Sequence, residues 1–198
     1  MKLLMSGASP YVAMTAMAAR LAEIELEMVT VDAANGDDTL LAANPLGKIP
    51  CLVLDDGRAI YDSRAILRFL DRKSGGSLYP ADHDALTAAE HTEALCMGIA
   101  DCAVASIYEL RLRPEEKVHQ PFLDRQWGKI ERGLDAVMAD LPPLGDGAHV
   151  GTLTLAGLLG YLGLRFARRW EDGRQALVDW NTRFDETHPE LASLKPHG

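Results

Sequence analysis

Cysteine is scarce in this chain of 198 residues. Cys51, Cys96 and Cys102 are odd in number and show neither CxxC nor metal-ligand spacing, which excludes a disulfide framework and gives no metal site. They read as reduced thiols of a cytoplasmic protein. Basic residues are also in deficit, 20 Lys and Arg against 29 Asp and Glu, a net charge of −9. Phosphate neutralisation needs clustered cations, so a nucleic-acid partner is excluded. The one basic cluster, Arg165, Arg168, Arg169 and Arg174, reads as the solvated face of a late helix rather than an anion site. No uninterrupted apolar run reaches the ~18 residues of a membrane span, and the apolar start at Met1–Met5 is too short for a signal h-region. Internal repeats and low-complexity tracts are absent.

What is present is ordinary for a globular protein: 47% hydrophobic and 25% charged residues. The length suits one large domain or two modest ones with a real core. The first eighty residues alternate strand and helix signals: strands at Lys2–Met5 and Glu27–Val31, helices at Pro10–Glu23 and Thr39–Ala43. A hairpin of Ile49–Leu54 and Arg58–Tyr61 turns at Asp55-Asp56-Gly57. A helix over Asp62–Lys73 stops at Ser74-Gly75-Gly76. This is the pattern of a small α/β domain. From Asp84 onward the pattern is helical: Asp84–Leu112, Glu115–Leu141, Thr152–Arg169, Gly173–Phe184 and Pro189–Leu194. The expected architecture is therefore an α/β domain over residues 1–76, a linker at Ser77–His83, and an all-α domain over 84–198.

Three short segments carry candidate chemistry. Ser9-Pro10 is a good helix start, Ser as N-cap and Pro as first helical residue. The same geometry leaves a hydroxyl and free N–H groups where the helix dipole favours negative charge. Lowering a thiol pKa from ~8.5 by about two units takes ~2.7 kcal/mol. One charge-assisted hydrogen bond of ~1.5–3 kcal/mol plus a dipole contribution of ~0.3–1 kcal/mol suffices. Ser9 is thus either a cap alone or a cap that also activates a bound thiol. Asn44-Pro-Leu-Gly-Lys-Ile-Pro50 sets a proline directly before an apolar strand; a cis bond there would open the backbone of Ile49 to an extended peptide, although most X-Pro bonds are trans. Asp62-Ser63 is a second helix start whose N–H groups are placed either for capping or for a carboxylate.

In this order, the segments resemble the glutathione transferase superfamily, with its thioredoxin-like N-terminal domain and helical C-terminal domain. The second half is similar to bacterial cytosolic members at Gly98-Ile-Ala-Asp101, Tyr108-Glu109, Arg113-Pro-Glu-Glu-Lys117, Lys129-Ile-Glu-Arg-Gly-Leu134 and Gly160-Tyr-Leu-Gly-Leu-Arg165. The resemblance implies a cytoplasmic, homodimeric detoxification enzyme that takes glutathione as co-substrate and needs no cofactor, metal, membrane or nucleic acid. Ser9 matches the residue that contacts the glutathione sulfur. Ile49 matches the one whose backbone pairs with the cysteinyl part, and Pro50 the family's cis-proline. Asp62 and Ser63 match the pair that holds the γ-glutamyl end, and Lys48 is expected near the glycyl end. The thiolate would attack a hydrophobic electrophile between the domains, among Tyr11, Met97, Tyr108 and Arg111, each equally readable as core or surface. Asp101 is read as an interface or solvent-facing acid.

Two departures stand out. Basic residues common after Ser-Pro-Tyr are replaced by Ala13-Met14-Thr15. The capping box ahead of the core helix reads His149-Val-Gly-Thr152, lacking its Asp, so the box is expected to be lost at some cost in stability. Two other functions share the fold: a non-catalytic glutathione-binding or scaffolding protein, and a glutathione-dependent thiol reductase. The reductase wants a cysteine where Ser9 stands, and Cys51 reads as buried packing.

Overall fold

Leu3 and Leu4, adjacent on the first strand, are both buried, at 0% and 1% exposure. Successive strand residues point to opposite faces, so this sheet is covered on both. The computed structural model describes residues 1–145 and 147–198. Its strands are β1 (Lys2–Met5), β2 (Glu27–Thr30), β3 (Cys51–Val53) and β4 (Ala59–Ile60), in the order β2-β1-β3-β4. β1 runs parallel to β2 and antiparallel to β3, and β3 runs antiparallel to β4. Leu3 and Leu52 face the helices α1 (Pro10–Leu21) and α3 (Ser63–Lys73), whereas Leu4 and Cys51 pack with Val31 and with Leu40 of α2 (Asp38–Ala43) on the other face. The β3–β4 turn closes through Leu54 N–H to Arg58 C=O at 2.8 Å, with Gly57 at φ 86°. That conformation suits glycine, as the Asp-Gly pair leads one to expect.

The rest of the chain is helical: α4 (His83–Leu112), α5 (Gln120–Ala139), α6 (Val150–Phe166), α7 (Gln175–Thr187) and α8 (Pro189–Ala192). The connection before α4 is no slack linker. Leu78 is fully buried, Asp71 Oδ1 accepts from the N–H of Leu78 at 2.9 Å and of Tyr79 at 3.1 Å, and Val150 N–H donates to Leu78 C=O at 2.9 Å. α1 packs directly on α6, where a Cβ on Gly157 would lie 2.7 Å from Met14 Cγ. One hydrophobic cluster runs from Leu3 through Met14 and Met17 to Leu153, Trp180 and Leu191, so sheet and helices share a core.

Three expectations are corrected. The single helix over Glu115–Leu141 is a 3-10 turn (Glu115–Lys117), two extended residues, and then α5. Pro121 sits in the first turn of α5, where its missing N–H is harmless, and its ring would clash with a carbonyl one turn earlier if the helix began sooner. The capping box ahead of α6 is kept with other atoms. His149 Nδ1 accepts from Gly151 N–H at 3.1 Å, and Thr152 Oγ1 accepts from His149 N–H at 2.9 Å. The arginine cluster is no solvated helix face: α6 ends at Phe166, Arg169 lies 3.7 Å above the Trp127 ring, and buried Arg174 pairs with Asp135 at 2.8 Å. Asp101 is solvent-facing, as expected, and also ties α1, α3 and α4 together through Tyr11 and Arg64, at 2.5 and 3.6 Å.

Candidate functional site

Ser9 caps α1 as its sequence predicts. Its backbone is extended at φ −83° and ψ 127°, and Oγ accepts from Val12 N–H at 3.3 Å. A hydroxyl has one proton to give besides the lone pairs that accept, so capping leaves Ser9 Oγ–H free to donate. Among the described residues the N–H of Tyr11 has no backbone acceptor, because only Ala13 N–H reaches back to Ser9 C=O. Two donors therefore stand together at the positive end of α1, a setting that favours an anion.

The loop entering β3 is built by Asn44. Its side chain, in a residue 1% exposed, donates from Nδ2 to Lys48 C=O at 2.8 Å and accepts at Oδ1 from Leu46 N–H at 3.1 Å. Gly47 N–H donates to Asn44 C=O at 2.8 Å, with Gly47 at φ 59°. The bond that follows, Ile49-Pro50, is cis, as the resemblance implied, and Tyr61-Asp62 is a second cis peptide. Beyond the strand pairings that begin at Cys51, the backbone N–H and C=O of Ile49 have no hydrogen-bond partner among the described residues. At the far end of the hairpin, Asp62 caps α3 by accepting Arg64 N–H at 3.0 Å. Ser63 is buried beneath it, its hydroxyl 3.9 Å from Met97 Sδ.

A cleft of about 370 Å³ opens between the sheet region and the helices. Ser9, Tyr11, Lys48 and Ile49 line one side, and Tyr108 and Arg111 of α4 the other. Six of the ten residues singled out in the sequence thus come together. Pro50, Asp62 and Ser63 lie along the β3–α3 edge outside that lining, and Met97 is fully buried in the core against Ser63, so it offers nothing to the cleft. The stretch Ala13-Met14-Thr15 is buried and supplies no cation.

Sequence reasoning missed Tyr161 and Arg165 of α6, which line the same cleft. Burial pushes the Tyr161 hydroxyl up, and the charges of Arg165 and Arg111 pull it back, so both guanidiniums act on this ring. The signal was there as spacing: Tyr108/Arg111 and Tyr161/Arg165 are three and four residues apart, one helical turn in each case. None of the cysteines is in this lining. Cys51 is 0% exposed on the far face of the sheet, and burial pushes the Cys96 thiol up to about 12. Among the described residues no cluster of His, Cys, Asp or Glu could hold a metal ion, and no helix is long and apolar enough to cross a membrane.

The family model for the glutathione S-transferase N-terminal domain matches residues 8–73, the stretch that runs from Ser9 through Ser63. The uncharacterized GST-like protein YibF of Escherichia coli K12 is 31% identical over 183 residues, which is 90% of each chain. A glutathione S-transferase of Methylobacterium radiotolerans, solved with glutathione sulfonate, superimposes with a TM-score of 0.91 at 32% identity, covering 100% of this chain and 95% of that one. One from Methylobacillus flagellatus, solved with glutathione bound, gives 0.90 at 33% identity over 99% of each chain. With this sheet order, this cis-proline edge and likeness along nearly the whole chain, the protein belongs to the glutathione S-transferase superfamily.

Proposed function

We propose that the protein is a glutathione transferase that activates the thiol of glutathione for attack on an electrophilic carbon. The carrying observation is that Ser9, Lys48 and Ile49 line one cleft, with the Ser9 hydroxyl proton uncommitted and the Ile49 backbone unpaired. In this reading the cysteinyl backbone pairs with Ile49, beside Pro50. The γ-glutamyl carboxylate meets the N–H groups at Asp62-Ser63, and the glycyl end lies toward Lys48. Ser9 Oγ–H and Tyr11 N–H then face the sulfur and favour its thiolate. The protein positions and stabilises a bound nucleophile and forms no covalent bond itself. Tyr11, Tyr108 and Arg111 border the space left for the electrophile. The relatives solved with glutathione and glutathione sulfonate support the ligand. A homodimer and a cytoplasmic location complete the proposal, the latter in keeping with three free cysteines.

Glutathione titration by calorimetry, paired with conjugation of 1-chloro-2,4-dinitrobenzene, tests it. Binding with turnover that falls about 10- to 100-fold in Ser9→Ala is expected, the worth of one hydrogen bond to a charged sulfur. Turnover unchanged in that variant would remove Ser9 from the mechanism. Tight binding with no turnover across a panel of electrophiles would leave a scaffold in place of an enzyme.

A further inference from the structure

The cleft carries more positive charge than glutathione uses. In the reading above, the two carboxylates of glutathione are met at Asp62-Ser63 and near Lys48, on the sheet side. Arg111 and Arg165 remain, on α4 and α6, and neither has an acidic partner among the described residues, whereas Arg68, Arg113 and Arg174 each do. Arg165 is the more telling of the two, because its Nε is buried and donates to nothing. A buried guanidinium N–H without an acceptor costs roughly 1–3 kcal/mol or more, so such a group marks a place for an acceptor.

The cleft offers no free carboxylate to pair with it. Its one acidic lining residue is Asp32, on the loop after β2, and both oxygens of that carboxylate are engaged locally. Oδ1 accepts from Ala34 N–H at 3.1 Å and Asn35 N–H at 3.2 Å, and Oδ2 from Asn35 Nδ2 at 2.7 Å. Each free arginine follows a tyrosine by one helical turn, Tyr108 on α4 and Tyr161 on α6. Two flat rings beside two planar forks suit a flat apolar body that ends in a carboxylate.

We infer that, if the cleft is a glutathione transferase site, its electrophile is a flat, aromatic-type molecule bearing a carboxylate that Arg111 and Arg165 bind between Tyr108 and Tyr161. The thiolate sulfur bonds to the electrophilic carbon on this body. For an aryl fluoride, fluoride leaves with the C–F bonding pair, and the thiol proton passes to solvent.

The test compares 4-fluoro-3-nitrobenzoate with 4-fluoro-3-nitrobenzamide, each kcat/KM divided by the uncatalysed rate. The acid should be preferred by about tenfold, the worth of ~1.4 kcal/mol, and the preference should vanish in Arg111→Gln and Arg165→Gln while partly surviving in Arg165→Lys. Equal rates for acid and amide, or a preference that neither variant moves, would overturn the inference. A second arm needs no turnover: calorimetry with S-(4-carboxybenzyl)glutathione and its carboxamide counterpart. Tighter binding of the acid that depends on both arginines upholds the anion site even if neither fluoride reacts, in which case it is the transferase reading that falls. Equal binding overturns the anion site whatever the turnover, and failure of both conjugates to bind overturns both readings.

Discussion

The hydroxyl of Tyr11 donates to Asp101 Oδ1 at 2.5 Å, joining the first helix of the sheet region to the first helix of the bundle. Burial, together with the carboxylate it binds, holds this phenol well above its ordinary range. A phenol has one proton to donate, and here it is spent. Tyr11 therefore lines the cleft with no hydroxyl proton to spare, and under the proposed function only its backbone N–H is left to meet a bound sulfur.

This separates two variants that sequence alone would confuse. In Tyr11→Phe the pKa of bound glutathione, read from ultraviolet thiolate absorbance, is expected to stay where it is. In Ser9→Ala it should rise by about one to two units. Tyr11→Phe should instead lower stability by about 0.5–1.5 kcal/mol, since a charged acceptor loses its donor. A thiol pKa that rises in Tyr11→Phe would show that the hydroxyl reaches the sulfur.

Asn44 sets the shape of the loop that enters β3. Replacing it with Ala removes both side-chain bonds to the 46–48 loop, leaves Lys48 C=O and Leu46 N–H without those partners, and empties the place of a side chain in a residue only 1% exposed. A loss of about 2 kcal/mol is expected, or a midpoint lower by about 4–8 °C in thermal melts. The KM for glutathione should rise more than kcat falls, because the loop positions substrate and does no chemistry.

His149 caps α6 only while neutral, since Nδ1 must accept from Gly151. Burial lowers its pKa below the ordinary value of 6.5. The unfolded chain then binds this proton more readily than the folded one between the two values. The stability due to His149 is complete above about pH 6.5 and is lost as the pH falls from there through the folded value. Denaturant melts across this range should show the decline. His149→Asn, which caps without titrating, should flatten that part of the profile, and an unaltered slope would place the acid sensitivity elsewhere.

At the α1–α6 crossing, Gly157→Ala should destabilise the protein by about 1–3 kcal/mol despite its better helix propensity. The new methyl would meet Met14 Cγ at 2.7 Å, and Met14 is fully buried. Thermal melts check this, and a gain in midpoint would mean that the core gives way more easily than its packing implies.

The segments whose structure is decided locally were legible. Ser9 and Asp62 are caps because a short polar side chain precedes a helical run, and Gly57 turns the hairpin because its φ is positive. The edge at Ile49-Pro50 was legible only through the whole order of motifs. What sequence could not give were partners distant along the chain. Tyr11 and Asp101 are 90 residues apart, and nothing local tells the tyrosine where its proton goes. Met97 shows the same limit, since one helix offers the same residue types to core and cleft. Arg165 was misread because its three basic neighbours in sequence suggested one exposed face, although the helix ends before any of them begins to face water. The cap at His149 was missed for a chemical reason: an imidazole and a threonine hydroxyl do what the expected side chains would have done.

The unbroken core that passes from Leu3 through Met14 to Leu153 bears on how this protein could diversify. Two regions that share one core in this way are expected to melt as a single unit. In the proposed function, a peptide along the sheet edge and a second molecule against α4 and α6 meet across walls that share that core. Selectivity for the second molecule is then set by the few side chains those two helices turn toward the gap, and can be rewritten there without disturbing the grip on the first.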